Sequence, residues 1–474
     1  MSKFVKPTIT NFADYGKKRY IDTYKPNSLF PSTCNPSIVY NKEEDTYYLN
    51  IRRTSYVLHA SKSEYNPGGH WGPLIYSISS KRGNLLETEN AICKLKDPMK
   101  DTFNYIEVDK LPHKGQWEFR GLEDIRLSYW NNSIYASPVV RDDNTTGIGR
   151  IHALKLKGGK IVKDTKLSVL NNEYCVKNLM PVEDRAFTYV YSTNPMVVVT
   201  YDETGKIVNK IQHDKLDIEQ WKEFDMLRGS TQAVPFEDGY VFIVHSCQMW
   251  YTPNHRKDAR YMHCAVYTDK EFNIKKVSPM FTFEDFPVEF CCGLTINNDK
   301  VYITYALQDN VSYILEVTRD TFSALLNNQL EPIKGMNQMS YNEMLEKGYQ
   351  LFRKKDFSGA YTWFCKATDV YGMYESRFWM ARCISEFGER DLYERNLWSR
   401  VVEYDANRPE GNMALAMYFY CRWDYALAYL FGKKAMDNMD KFTGIYYSKD
   451  AMYNLWNNIQ QQNGAGKGQW KKAF

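Results

Sequence analysis

The stretch LEDIRLSYWNNSIYASPVV, residues 122–140, has the pattern of two short strands joined by an Asn-Asn turn. A polar cluster opens the first strand, and the second strand is rich in apolar and aromatic residues. Four other stretches have the same order of features and begin at Asn35, Lys177, Gly229 and Glu289. By subtraction, the five starts are 87, 55, 52 and 60 residues apart. One strand–turn–strand unit therefore recurs five times before residue 325.

This spacing is typical of a β-propeller, in which each four-stranded blade needs about 40–50 residues and more where loops are long. Five units predict a five-bladed β-propeller over residues 1–330, with an additional loop between the first two units. The alternative for such a pattern is a β-sandwich with irregularly spaced strands.

The hydrophobic period becomes helical from about residue 338. The segment DFSGAYTWFCKA from Asp356 aligns with DYALAYLFGKKA from Asp424, and the 68 residues between them are twice 34. A 34-residue helix–turn–helix period is the tetratricopeptide signature. We predict a tetratricopeptide-like helical repeat domain over residues 338–474, with six helices between 340 and 437 and a frayed tail from Gln460.

Composition excludes several classes of protein. Hydrophobic residues make up 43% and charged residues 25%, as in ordinary globular chains. The net charge of +4 gives no indication of a nucleic-acid partner. We expect no signal peptide and no membrane span, because no apolar run approaches about 18 residues. The ten cysteines form no CxxC pair, so reduced thiols in a cytoplasmic protein are predicted.

In a propeller the innermost strand of each blade lines the central channel, so the starts of the five units should meet at one mouth. Charged and amide side chains dominate these starts. They are Asn35, Arg120, Glu123, Asp124, Arg126, Lys177, Asn178, Arg228 and Glu289. Such a set predicts a polar site; the alternative is a ring of structural salt bridges.

The sharpest local motif is WEFRGLEDIRLSYW, residues 117–130. Adjacent strand residues point to opposite faces, so only one of Glu123 and Asp124 should face the channel. We predict that Asp124 does, that Arg126 shares its face, and that Glu123 faces the blade interior. A carboxylate among cations suits proton transfer to or from a hydroxyl-rich anionic substrate. The alternative is a buried Asp–Arg pair that stabilises a turn.

Other candidates lie further along the chain. Arg150 follows the loop DDNTTGIG, His245 ends a strand after Arg228, and Tyr305 and Asp309 follow the fifth unit. A lone His in this position is more often structural. No nucleotide-binding or zinc-hydrolase motif and no DxD occurs, so we expect neither a cofactor nor a metal.

The ordered motifs RGLEDIR, KNLMP, LRGS with a later His245, and Glu289…Tyr305…Asp309 resemble the five-bladed propellers of glycoside hydrolase family 130 and glycosyltransferase family 108. These are β-mannoside phosphorylases and β-1,2-mannosyltransferases. The resemblance covers roughly residues 30–325, and Ile125 stands where the family motif has Pro. The helical part lies outside it.

The resemblance implies that Asp124 is the acid/base of an inverting reaction. It places Arg150, Lys177 and His245 at the phosphate. Asp309 matches a sugar-hydroxyl ligand. The remaining predicted substrate-binding residues are Asn35, Arg52, Arg120, Glu123, Arg126, Arg228, Glu289 and Tyr305.

The function predicted on this basis is a metal-independent, inverting glycosyltransferase or glycoside phosphorylase of the mannoside type. Its partners would be a sugar phosphate or sugar nucleotide and a carbohydrate acceptor. One alternative is a glycoside hydrolase using Asp124 and Glu289 as its two carboxylates. Another is a non-catalytic scaffold whose helical repeats bind a protein partner or a second copy.

Overall fold

A computed structural model describes residues 8–9, 11–22, 30, 32–59, 75–78, 86–115, 119–222, 227–251, 257–286, 288–331, 339–371, 373–386, 392–444 and 447–470. The chain forms two compact units, Met1–Gln338 and Met339–Phe474.

The first unit consists almost entirely of antiparallel strands, followed by one short helix, α1 (Arg319–Leu326). Its strands are β1 (Lys17–Tyr20), β2 (Ser32–Asn41), β3 (Thr46–Thr54), β4 (Tyr56–His59), β5 (Ile75–Ile78), β6 (Leu86–Leu95), β7 (Ile106–Glu107), β8 (Phe119–Arg120), β9 (Glu123–Trp130), β10 (Ser133–Val140), β11 (Arg150–Lys157), β12 (Lys160–Lys166), β13 (Met180–Pro181), β14 (Thr188–Thr193), β15 (Met196–Tyr201), β16 (Ile207–Gln212), β17 (Leu227–Gly229), β18 (Val234–Phe236), β19 (Gly239–Tyr251), β20 (Lys257–Asp269), β21 (Ile274–Val277), β22 (Glu289–Asn297), β23 (Lys300–Leu307) and β24 (Val311–Thr318).

Apart from the two-stranded β4-β5 sheet, the strands pair into five sheets, each running from an inner to an outer strand. Blade 1 has the order β2-β3-β6-β7, blade 2 β9-β10-β11-β12, and blade 3 β13-β14-β15-β16. Blade 4 has β17-β19-β20-β21, with β18 also paired to β19. Blade 5 has β22-β23-β24 and is completed by the N-terminal strand β1, in which Lys17 lies opposite Glu316. The fold is a five-bladed β-propeller, and the β-sandwich alternative is wrong.

Apolar side chains fill the space between neighbouring blades. Trp130 at the end of β9 contacts the rings of Phe187 and Tyr189 in blade 3, with centroids 5.6 and 5.5 Å apart. Its indole Nε1 donates to the carbonyl oxygen of Val182 at 2.7 Å, so the one polar group of this buried ring is satisfied. Packing of this kind fixes one blade against the next and holds the inner strands in register.

The second unit is helical. Its helices are α2 (Tyr341–Arg353), α3 (Phe357–Tyr371), α4 (Tyr374–Glu386), α5 (Leu392–Tyr404), α6 (Pro409–Tyr420), α7 (Tyr425–Met436) and α8 (Lys449–Trp470). The first six, from Tyr341 to Met436, occupy the span of 340–437 over which six helices were predicted. A Cβ atom on Gly348 of α2 would lie 2.5 Å from the ring of Phe364 in α3, which explains why the smallest residue stands there.

One prediction for this unit is wrong. The tail was expected to fray from Gln460, yet α8 continues through Gly464 to Trp470. Each of its three glycines disfavours helix by about 1 kcal/mol, which is too little to exclude a helix; residues 471–474 of the tail lie outside the described residues. Among the described residues, no helix is both long and apolar enough to cross a membrane.

Candidate active site

The carboxylate of Asp124 lies at the start of β9 and is nearly buried, with 8% of the residue exposed. Asn35 Nδ2 and Arg52 Nη1 both donate to its Oδ1, at 2.7 and 2.6 Å. Asn35 belongs to β2 and Arg52 to β3, so blade 1 holds the carboxylate of blade 2. Across the described part of the chain, Oδ2 has no hydrogen-bond partner. One carboxylate oxygen is fixed and the other can accept a proton.

The surroundings of Asp124 keep it ionised. Burial raises the pKa of this carboxyl, but Arg52, Arg126, Lys177 and the hydrogen bond from Asn35 lower it, and the net pKa lies below the usual range. Nearby opposite charge favours the charged form of an acid. Near neutral pH, Asp124 is therefore suited to accept a proton rather than to donate one.

The backbone at this mouth is unusual. Asp124 has a φ of 52°, in the left-handed region that few residues other than glycine adopt. Three of the other polar residues with this conformation come to the same mouth from other blades, namely Asn35 (45°), Asn178 (62°) and Asp309 (51°). Residues in such sparsely populated conformations cluster at functional sites. Because Asp124 is not in extended conformation, strict alternation does not decide which way its neighbours point.

Glu123 illustrates that point. Its Oε1 lies 3.2 Å from Lys177 Nζ and its Oε2 lies 3.8 Å from Arg141 Nε. The prediction that Glu123 faces the blade interior is therefore wrong, because its carboxylate meets two cations. Glu123 is the main cause of the raised pKa of Lys177, which keeps this ammonium charged. The side chain of Lys177 is 40% exposed and remains accessible to a ligand.

Arg126 is fully buried, and its charge lowers the pKa of Asp124, although it donates no hydrogen bond to that carboxylate. Its Nη1 donates to the backbone carbonyl of Asp124 at 2.9 Å, and its Nε donates to Ser230 O at 2.8 Å. Its Nη2 donates to Asn178 Oδ1 at 3.1 Å and to Gly229 O at 3.4 Å. The predicted substrate-binding role conflicts with these contacts, because the guanidinium is enclosed by protein acceptors. Arg126 instead joins blades 2, 3 and 4 beneath the mouth.

Asp309 lies at the same mouth, in the turn between β23 and β24. Burial raises the pKa of its carboxyl to about 6. Arg52 and Lys177 lower this pKa, whereas Asp124 and Glu123 raise it. Asp309 thus lies within electrostatic reach of Asp124, and its role as a sugar ligand stays a prediction.

Glu289 is not at this site. It is fully buried, and its carboxylate accepts hydrogen bonds from the backbone N–H groups of Phe283, Glu284 and Phe286, at 2.6, 2.7 and 2.9 Å. Burial raises its pKa to about 7, although those three hydrogen bonds lower it. The predicted roles of Glu289, as a sugar ligand and as the second carboxylate of a hydrolase, conflict with this arrangement. Its carboxylate stabilises the 283–286 turn.

Tyr305 is likewise enclosed. It is fully buried, its hydroxyl donates to Glu284 Oε1 at 2.7 Å, and its ring stacks on Phe283 with centroids 4.3 Å apart. The prediction that Tyr305 binds substrate is corrected to a packing role. A tyrosine near the end of a strand cannot be assigned to either role from the sequence alone.

His245 is buried between rings, and its Nδ1 lies 2.8 Å from Ser230 Oγ. Its imidazole stacks on Tyr261, with centroids 5.5 Å apart. Burial lowers its pKa well below the ordinary value, with smaller contributions from His263 and Arg228. A neutral imidazole offers an N–H donor but no positive charge. The cation of this segment is Arg228, directly opposite His245 in the β17–β19 pairing.

Among the described residues, neither Arg150 nor Arg120 contacts Asp124. Arg150 Nη1 donates to the carbonyl oxygens of Gly149 and Glu173, at 2.8 and 3.0 Å, and so fixes a loop. Arg120 lies in β8, beside Glu87 of β6, and its buried Nε has no partner among the described residues. The ligand roles of both residues remain predictions.

Two residues that support this site, Ser230 and Arg141, were not identified as such from the sequence. Ser230 holds His245 and accepts from Arg126 through its carbonyl oxygen. Arg141 approaches Glu123 and donates to Cys175 Sγ at 3.1 Å. The position of Ser230 directly after β17, two residues from Arg228, was the available signal.

No protein-family profile and no curated protein matches this sequence. Solved structures do match the propeller. A β-1,2-mannobiose phosphorylase from Listeria innocua aligns with 63% of this chain and 92% of its own, at 11% identity and a TM-score of 0.42. MPT-4, a mannose phosphorylase from Leishmania mexicana, aligns over 65% and 90%, at 12% identity and a TM-score of 0.38.

A third match is to a structure from the GH130 family of mannoside phosphorylases, a family that contains glycoside hydrolases targeting β-1,2-mannosidic linkages in Candida mannan. It aligns over 65% of this chain and 95% of its own, at 12% identity and a TM-score of 0.39. At these identities the likeness concerns the fold, and the five-bladed architecture rests on the strand pairing of this chain.

Proposed function

We propose that the chain is a carbohydrate-active enzyme that transfers a glycosyl group, of the mannoside type, between a phosphorylated donor and a carbohydrate acceptor. The observation that carries this proposal is the Asp124 carboxylate. It is ionised, one oxygen is fixed by Asn35 and Arg52, and the other oxygen has no partner among the described residues. A general base needs this combination of charge, fixed orientation and one free lone pair.

In the proposed reaction Asp124 accepts the proton of the acceptor hydroxyl. The hydroxyl oxygen forms a bond to the anomeric carbon, and the bond from that carbon to the donor phosphate breaks. One displacement inverts the configuration at the anomeric carbon. Phosphorolysis is the same reaction in reverse, with inorganic phosphate as the nucleophile. No metal or cofactor is part of the proposal.

Lys177, whose charge acts on Asp124, and Arg228 of blade 4 support a phosphorylated donor. Lys177 is charged and partly exposed, and Arg228 brings a second positive charge beside His245. Lysine binds phosphate as a point charge, and arginine can bind it through two parallel hydrogen bonds. A neutral sugar alone would not require these charges. The donor is accordingly proposed to be a sugar phosphate or a sugar nucleotide.

The alternative of a hydrolase using Glu289 is less well supported, because that carboxylate already accepts three backbone hydrogen bonds. A non-catalytic scaffold would not need an ionised, oriented carboxylate in the mouth. For the helical unit we propose a binding role, toward a protein partner, an acceptor or a second copy of the chain. Its repeat positions Ala360, Ala367, Ala428 and Ala435 are buried and carry no reactive group.

The test is a donor screen with the purified full chain, using sugar 1-phosphates and sugar nucleotides with mannosides as acceptors. Released phosphate or nucleotide is measured. Asp124→Asn keeps size and shape but cannot accept the proton, so turnover should fall by about 10²–10⁴-fold. Asp299→Asn, the same change at an exposed turn, serves as the matched control. Equal activity of both variants, or no turnover of any donor, would contradict the proposal.

A further inference from the structure

Asp142 is a buried acid that the proposed reaction does not use. It lies two residues after the end of β10, and with 1% of the residue exposed it cannot meet a substrate. Gly121 N donates to its Oδ2 at 2.8 Å, and His113 Nδ1 lies 2.5 Å from its Oδ1. Because a carboxylate only accepts hydrogen bonds, the imidazole supplies the proton of the second bond. One carboxylate thus holds two points of the segment that runs from β7 to β9.

Gly121 belongs to the turn that leads into β9. Its φ of 92° lies in the left-handed region that favours glycine. A Cβ atom at this position would lie 2.2 Å from Thr88 O of β6, so the backbone of Gly121 lies directly against blade 1. Asn90 Nδ2, also from β6, donates to Leu122 O at 2.8 Å. Blade 1 and Asp142 therefore fix the same turn.

This turn is connected to the Asp124 carboxylate along two routes. Along the chain, only two residues separate Gly121 from Asp124. Across the blades, Thr88 Oγ1 accepts from Arg52 Nε at 3.2 Å, and Arg52 Nη1 donates to Asp124 Oδ1 at 2.6 Å. Thr88 thus has its carbonyl group against Gly121 and its hydroxyl group on Arg52. A shift of Gly121 away from blade 1 would change the position of Asp124 relative to its guanidinium partner.

His113 in turn fixes Asp142. The backbone N–H of the next residue donates to Asp142 O at 2.8 Å, and the His113 ring binds Oδ1. A Cβ atom on Gly115 would lie 2.9 Å from Asn144 O, so this segment lies close against the turn that follows β10. The Nε2 atom of His113 is buried and has no hydrogen-bond partner among the described residues. Within that part of the chain the ring therefore serves Asp142 alone, and it leaves Oδ2 to the turn before β9.

We infer that Asp142 and His113 are positioning residues of the site and act on the reaction only through Asp124. This inference rests on the proposed function and deepens it, because it names the groups that hold the base in place. A general base must lie within hydrogen-bond reach of the proton that it accepts. A displacement of about 1 Å can slow a reaction about 10²-fold, even when its cause lies outside the site. Neither Asp142 nor His113 exchanges a proton with the substrate.

Asp142→Leu has nearly the same shape but removes both acceptor oxygens, so Gly121 N loses its partner. We expect kcat to fall about 10–10²-fold and KM for the donor to change by less than about threefold, because the donor meets neither residue. Asp142→Asn keeps an oxygen for Gly121 N, and its amide can donate to the other tautomer of His113, so kcat should stay within about threefold of wild type. His113→Leu leaves Gly121 N bound, and its kcat should lie between those of the two Asp142 variants.

A double variant separates a positioning role from a structural one. In the Asp124→Asn background the base is already lost, so Asp142→Leu should lower kcat by no more than about threefold further. Asp202→Leu is the matched control, because the Asp202 carboxylate also accepts from two backbone N–H groups in a turn, those of Thr204 at 2.8 Å and Lys206 at 3.0 Å. That turn joins β15 to β16 in the outer part of blade 3. The control should lower the thermal midpoint without lowering kcat.

The experiment uses the full chain with mannose 1-phosphate or GDP-mannose as donor and a mannoside as acceptor. Amide hydrogen exchange of residues 119–124, followed by mass spectrometry, is measured on the same variants and needs no turnover. Exchange of this segment should be faster in Asp142→Leu than in wild type, and it should be unchanged in Asp202→Leu. If Asp142→Leu does not fold, His113→Leu is measured in its place by the same two methods.

Three results would overturn the inference: unchanged exchange of residues 119–124, wild-type kcat in folded Asp142→Leu, or an equal loss of kcat in the Asp124→Asn background. An inactive wild type would instead contradict the proposed function. Hydrogen exchange would still decide in that case whether Asp142 holds the turn before β9.

Discussion

Arg52 Nη1 donates to Asp124 Oδ1 at 2.6 Å, across the boundary between blades 1 and 2. Both side chains are nearly buried, at 5% and 12% exposure. Arg52 is the largest of the influences that lower the pKa of Asp124 against the opposing effect of burial. The pair therefore decides the pH range over which Asp124 can act as a base.

Replacement of Arg52 by Met should narrow that range. Without the guanidinium, burial is less opposed and the pKa of Asp124 rises, so the base becomes protonated as pH falls from neutrality. We expect the acidic limb of the kcat/KM profile to move to higher pH by one unit or more, because a lost ion pair shifts an acid by about 1–3 units. Arg52→Lys keeps the positive charge and should retain a more acidic limb. A profile unchanged in Arg52→Met would show that Arg52 has only a structural role.

Removal of Lys177 should weaken donor binding selectively. Its ammonium is 40% exposed and paired with Glu123, so it can meet a phosphate without reorganisation of the mouth. Hydrogen bonds to charged groups are worth about 1.5–3 kcal/mol, which corresponds to a roughly ten- to hundredfold increase in KM for the donor. Lys177→Ala should leave KM for a neutral acceptor almost unchanged, and Lys210→Ala, at an exposed position, should change neither constant. Equal weakening of donor and acceptor would indicate a structural lysine.

Glu289→Gln tests whether the Glu289 carboxylate has a structural rather than a catalytic role. An amide offers one acceptor oxygen where the carboxylate offers two, so at least one of the three backbone N–H groups loses its partner. An unsatisfied buried donor costs about 1–3 kcal/mol, and the thermal midpoint should drop by several degrees. At temperatures where the variant is folded, kcat should remain close to wild type. Glu271→Gln, at an exposed position, is the control; a large loss of kcat in folded Glu289→Gln would restore its catalytic role.

The same carboxyl predicts a pH dependence of stability. The folded-state pKa of Glu289 is raised to about 7, above its ordinary value of about 4.3 in an unfolded chain. The folded protein therefore binds this proton more tightly than the unfolded chain does. Its contribution to stability is fully present below about pH 4 and is lost as pH rises to about 7. Chemical denaturation of wild type and Glu289→Gln across this range should show a smaller decrease for the variant.

The fold was predictable because its signals repeat. Five similar strand starts and two aligned helical segments 68 residues apart repeat along the chain, so the pattern does not depend on any one copy. The helical tail was missed because composition alone argued for fraying at Gly464 and Gly466. Single features without repetition carried much less information about structure.

The site was predictable in part for a related reason. A propeller brings the starts of its inner strands together. The sequence alone could therefore place Asn35, Asp124 and Lys177 in one group. The direction in which the Glu123 side chain points could not be predicted. Alternation of side chains assumes extended backbone, and the backbone of Asp124 is in the left-handed region. Glu289 looks like Asp124 in the sequence, an acid at a strand start. Only the N–H groups of the 283–286 turn distinguish the two, and those depend on how a loop folds.

Gln232 should be central to the stability of the propeller, although no sequence pattern marked it. It is fully buried in blade 4, and its Nε2 donates to Ile38 O of blade 1 at 2.6 Å. Its Oε1 accepts from Leu294 N of blade 5 at 3.3 Å, and Nε2 also lies 3.4 Å from Glu183 Oε1 beside blade 3. One amide thus connects four of the five blades.

Gln232→Met fills the same volume but leaves the Leu294 N–H and the Ile38 carbonyl without partners. At about 1–3 kcal/mol for each unsatisfied buried group, we expect a loss of about 2–5 kcal/mol in the free energy of unfolding, measured by urea denaturation. Gln212→Met, at an exposed position of an outer strand, should change stability by no more than about 0.5 kcal/mol. The Glu183 carboxyl has its pKa raised to about 8 by burial, and Gln232 lowers it, so removal of the amide should raise that pKa further. If both variants unfold at the same urea concentration, the blades are held together by their apolar interfaces and the amide contributes little.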